Sequence, residues 1–99
     1  MKFSIVVEYD RTSLHLVAEI IHATDQIERI EVRGKNRSII LQNNRPLLEK
    51  RNLKSRRPNW KLIDGQMNNV HLLEKIIEAI EYVNRKSKKA PRSVKPYKL

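Results

Sequence analysis

The chain of 99 residues sets 21 Lys and Arg against 11 Asp and Glu, a formal net charge of +10, and holds no cysteine. This length suits one small domain and excludes two. No apolar run approaches the roughly 18 residues that cross a bilayer; Glu8 and Asp10 interrupt the opening segment before a secretory signal forms; disulfides, thiolate nucleophiles and cysteine-ligated metals are excluded.

A hydrophobic share of 39% beside 32% charged residues means that the core has to draw on nearly every Ile, Leu and Val, because a domain of this size buries only about 60–65% of its unfolded surface. From Phe3, Ile5, Val7 and Tyr9 apolar residues alternate with Ser4, Val6 and Glu8, the period-2 pattern of a strand with one better-buried face. Asp10 to Ser13 reads as a turn. Leu14 to Ala23 fits two patterns. As a helix it sets Leu14, Val17, Ala18 and Ile21 on one side. As a strand it sets Leu14, Leu16, Ala18 and Ile20 on one face, and His15 and His22 on opposite faces. The β-branched Val17, Ile20, Ile21 and Thr24 favour the strand.

Glu28 to Val32 and Arg37 to Gln42 form a hairpin about Arg33-Gly34-Lys35-Asn36, with Gly34 expected to supply a positive φ. Pro46 stops the second of these strands. Leu47 to Asn59 is polar and basic, with Leu47, Leu48 and Leu53 expected to tack it to the core. Trp60, Leu62 and Ile63 suggest a last short strand ending at Asp64-Gly65. Asn68 or Asn69 then caps a helix whose Val70, Leu73, Ile76, Ile77, Ile80 and Val83 recur at intervals of three and four. Glu74, Glu78, Glu81 and Arg85 fall on the other side.

The predicted fold class is α+β: a small two-layer domain, an antiparallel sheet of about four or five strands with one long C-terminal helix packed on it. The alternative is a βαββα order with residues 13–24 helical. Residues 1–86 form the single domain, and 87–99, with Pro91 and Pro96, form a basic disordered tail.

Charge is sorted along the chain. Residues 1–44 balance six basic against six acidic residues. Residues 45–61 hold seven basic against one acidic, 62–84 one against four, and 85–99 seven against none. Two concentrated cationic stretches call for a polyanionic partner. The candidate nucleic-acid-binding residues are Arg45, Arg51, Lys54, Arg56, Arg57 and Lys61 in the first stretch and Lys88, Lys89 and Arg92 in the second. Trp60 is a stacking candidate, although beside Leu62 and Ile63 it also reads as a core anchor.

Chemistry of other kinds finds little material. Gly34 and Gly65 are too far apart for a glycine-rich phosphate loop. His15, His22 and His71 have no carboxylate pattern that completes a metal site. The serines lack a nucleophile-elbow context, and a core this small rarely shapes a water-excluding pocket. The expectation is a cytoplasmic, non-enzymatic protein without cofactor or membrane association: a nucleic-acid-associated accessory domain, or alternatively a protein-interaction or homo-oligomerising module. For the second, Val6, Ile40 and Val17 or Ile21 are candidate apolar residues on the sheet face that the helix leaves open.

Overall fold

The computed structural model describes residues 2–53 and 55–94, from residue 85 onward by the helical backbone alone. In chain order the elements are β1 (Lys2–Tyr9), β2 (Thr12–Ala23), β3 (Glu28–Arg33), β4 (Ser38–Asn43), α1 (Arg45–Lys50), β5 (Lys61–Asp64) and α2 (Val70–Val94). The strands stand in the sheet in the order in which the chain makes them, each antiparallel to the last. The domain is α+β, and residues 12–23 are strand, as their β-branched content favours.

The connection from β1 to β2 is tighter than the four-residue turn expected. Tyr9 pairs with Thr12, which leaves a two-residue loop. Asp10 and Arg11 both adopt positive φ, 54° and 63°. That is the type I′ turn, whose twist matches that of the flanking strands. The β3–β4 turn differs. Gly34 has no positive φ there; instead, a Cβ at this position would stand 3.1 Å from Leu16 Cδ2. Close packing, and not backbone conformation, makes glycine useful at Gly34. Gly65 is the glycine with a left-handed backbone, φ 91°.

Alternation sorts the sheet into two faces. Ile5 and Val7 of β1, Ala18 of β2, Ile30 and Val32 of β3, and Ile39 and Leu41 of β4 point inward and are buried. Ile76 and Ile80 of α2 close over them. The helix begins at Asn69, whose Oδ1 accepts from Leu72 N at 3.1 Å, an N-cap interaction. Its Nδ2 donates to Tyr9 Oη, which ties the start of α2 to the end of β1. Val70, expected in the apolar stripe, lies outside the cover and is exposed, as are Leu53, Leu62 and Ile63.

The outer face carries a polar lattice. Glu19 and Glu31 stand opposite each other on β2 and β3, a like-charge pairing that is unfavourable alone. Arg33 resolves it by reaching both carboxylates, at 3.0 and 3.4 Å. Arg29 Nε donates to Gln42 Oε1 at 2.9 Å. Val6, Val17 and Ile40 share this face, Val6 and Val17 as diagonal neighbours on β1 and β2. The register slips by one residue between Ile20 and His22. This bulge brings His22 opposite Arg29, on the face that His15 also occupies, where unbroken alternation would have separated the two histidines.

α1 is a single short helix with Pro46 in its first turn, where the missing N–H costs nothing. Leu48 is its buried anchor, and Leu47 N donates to Gln26 O at 3.3 Å. The backbone of α2 carries past residue 86 to Val94, within the segment expected as a tail; residues 95–99 lie outside the described residues.

Candidate nucleic-acid interface

The internal basic stretch divides into cations that the fold uses and cations that it leaves in solvent. Arg45 belongs to the first group. Its Nη1 stands 2.8 Å from Glu28 Oε2, and the two side chains are only 13% and 11% exposed. Asn43 Nδ2 donates to the same carboxylate at 2.9 Å, and Asn43 Oδ1 accepts from Arg45 N at 2.8 Å. Glu28 is in phase with Ile30 and Val32, so the pleat carries its carboxylate into the interior end of the sheet. A buried carboxylate has to be paired, and Arg45 and Asn43 do that. The Arg45 guanidinium also stands over the Trp60 ring, 5.8 Å from its centroid, a cation–π arrangement.

Trp60 is engaged on its edge as well. Its Nε1 donates to Glu81 Oε2 at 2.9 Å, and the ring packs against the core. The ring thus has a cationic neighbour and its N–H an acceptor within the domain. Glu81, expected on the solvent side of the helix, is drawn inward by this bond.

The second group is solvent-facing. Arg51, Arg56, Arg57 and Lys61 are exposed. Arg57 Nη2 approaches Glu81 Oε1 at 3.8 Å while its side chain stays 79% exposed, a loose pair of small energetic weight. Lys50, on the last turn of α1, pairs with Asp25 at 2.8 Å; its hydrogen bond and its charge hold the Asp25 carboxyl below the usual carboxylate range.

Glu81 is the point where the internal basic stretch reaches α2. Trp60 and Arg57 both reach it from the segment before β5. Arg56, Arg57 and Asn84 line one open groove of about 1220 Å³, bounded by β1, α2 and the loop after α1, and the carboxylates of Glu8, Glu49, Glu78 and Glu81 line it with them. Arg85 follows Asn84 directly, so the C-terminal basic run leaves the domain beside the Arg56–Arg57 loop. Lys88, Lys89 and Arg92 lie on the helical backbone that continues from this point, and their side chains are outside the described residues, as is Lys54.

Local pattern gave no notice that Arg45 and Glu81 serve the fold, because their partners are 17 and 21 residues away. The phase of Glu28 with Ile30 was the one legible sign of a buried acid. Among the described residues no group of His, Asp or Glu converges to hold a metal ion, and no helix is long and apolar enough to cross a membrane. No family model, no curated protein and no solved structure matches this chain.

Proposed function

We propose that this chain is a non-enzymatic accessory domain that associates with nucleic acid through phosphate contacts made by its two cationic stretches. What supports the reading is that Arg56 and Arg57 are exposed beside a groove that Asn84 also lines, one residue before the C-terminal basic run in sequence. Arg51, Arg56, Arg57 and Lys61 supply the charge from the internal stretch, together with Lys54, Lys88, Lys89 and Arg92. Arg45 and Trp60 stand behind this surface as its support. Such contacts neutralise phosphates and release counterions, so binding is insensitive to base sequence and sensitive to salt.

The test is a fluorescence-anisotropy titration of the whole chain on labelled single-stranded and duplex DNA and RNA. Affinity falls at least tenfold between about 50 and about 200 mM salt, and the Arg56→Gln/Arg57→Gln variant lowers the log–log salt slope by about 1–2. Undetectable binding at about 50 mM salt, or affinity indifferent to salt, refutes the proposal.

A further inference from the structure

We propose that the free edge of β1 is a self-recognition surface, on which two copies of this chain pair their β1 strands antiparallel about a two-fold axis at Ile5. The two sheets then become one of ten strands. This goes beyond the nucleic-acid reading and does not depend on it, although the strand lines the same groove as Arg56 and Arg57.

A sheet has two edges, and here they are built differently. β5 has four residues, carries exposed Lys61 and Asp64 at its ends, and meets β4 with a register shift. Short length, end charges and irregularity are the usual guards against edge pairing. β1 has eight residues, no proline, and an unbroken register against β2. Among the described residues no strand pairs with its other side. Val6, midway along it, is 54% exposed. The open groove runs alongside, lined by the strand from Ser4 to Glu8.

The tight turn fixes which backbone groups face outward. A two-residue type I′ loop closes on a hydrogen-bonded Tyr9–Thr12 pair. Such pairs alternate along an antiparallel ladder, so Phe3, Ile5 and Val7 spend their N–H and C=O groups on β2. Lys2, Ser4, Val6 and Glu8 present theirs to the open edge. A second β1 pairs only if its own outward groups meet these. Centred on Ile5, Lys2 stands opposite the partner's Glu8, and Ser4 opposite the partner's Val6. Phe3 stands opposite the partner's Val7 on the inner face. The two-fold repeats each match, giving two oppositely charged pairs at the ends and apolar contacts between. Sliding the register by two residues puts Lys2 opposite Val6, or Glu8 opposite Ser4, and loses both charge pairs. Charge complementarity therefore selects a second copy in one register.

Sedimentation of the full chain tests this, at about 300 mM salt so that the Debye length drops below about 8 Å and the repulsion between two strongly cationic copies is muted. The mass rises with concentration from 11.7 kDa toward twice that value. Val6→Pro removes one outward N–H without touching the β2 ladder and weakens assembly at least tenfold, with an unchanged circular dichroism spectrum. Glu8→Lys and Lys2→Glu each weaken it, and the two together recover at least tenfold over the weaker single variant, even with the new glutamate opposite Glu19 on β2, which a structural effect of either change would not do. A mass that stays at 11.7 kDa up to several hundred micromolar overturns the proposal. So does a dimer that survives Val6→Pro, or one that the double charge exchange fails to recover.

Discussion

Replacing Glu28 by alanine tests the claim that Arg45 belongs to the fold. The carboxylate accepts from Arg45 Nη1 at 2.8 Å and from Asn43 Nδ2 at 2.9 Å, at the nearly closed end of the sheet. Alanine removes both bonds and leaves a guanidinium and an amide facing each other with no acceptor. Breaking a buried pair by deleting one partner costs about 3–5 kcal/mol, and the slight solvent access here sets the expected loss near the lower end, about 3 kcal/mol. At roughly 4–8 °C per kcal/mol for a domain of this size, the Tm falls by about 12–24 °C. Glu28→Gln keeps an acceptor for Asn43 but loses the charge, and costs about half as much. The assay is urea unfolding followed by circular dichroism, arranged as a cycle with Arg45→Met. The double variant recovers at least about 1 kcal/mol relative to the sum of the single changes. A loss below about 1 kcal/mol for Glu28→Ala, or strict additivity in the cycle, would show that the pair does not hold the fold and would return Arg45 to the phosphate-contact set.

Four further outcomes are expected. Gly65→Ala destabilises by about 2 kcal/mol or more in thermal unfolding, since φ is 91° and the new Cβ would lie 2.7 Å from Ser38 O. Arg11→Gly stabilises by about 0.5–1 kcal/mol in the same measurement, because glycine adopts at no steric cost the left-handed backbone that Arg11 holds under strain. Asn69→Ala removes the cap on α2 and its bond to Tyr9, and costs about 1–2 kcal/mol. Lys50→Met lets the Asp25 carboxyl return upward toward the ordinary carboxylate value, read by an NMR pH titration. Because the native group is held low, its contribution is present at neutral pH and is lost as pH falls through the native value, so the variant loses less stability than the parent on acidification.

The sheet was legible because one face of it is dry. Ile5 and Val7, Ile30 and Val32, and Ile39 and Leu41 announce their strands by simple alternation, and Ile76 and Ile80 announce the helix by its own period. What escaped was whatever depends on a partner distant in sequence or on a single inserted residue. The bulge at Ile21 shifts the phase of β2 without altering its composition, and so reverses the expected relation of His15 to His22. α1 is too short to show a period; it is held by Leu48 beneath it and by the Gln26 carbonyl beyond it. At the candidate interface, the run of cations from Arg45 to Lys61 was plain, but a list of charges does not distinguish a guanidinium bound to an inward carboxylate from one in water.

The nearest-neighbour order of the strands leaves β1 with an unusual dependency. The hairpins from β1 to β4 close over short loops and form at small entropic cost, whereas the inner side of β1 packs against a helix whose contact from Asn69 to Tyr9 spans 60 residues. A chain emerging from the ribosome therefore assembles its meander while the greasy underside of its first strand is still bare. Burial of that strand waits for α2 to follow, a long-range contact formed late and at greater entropic cost than the local pairings.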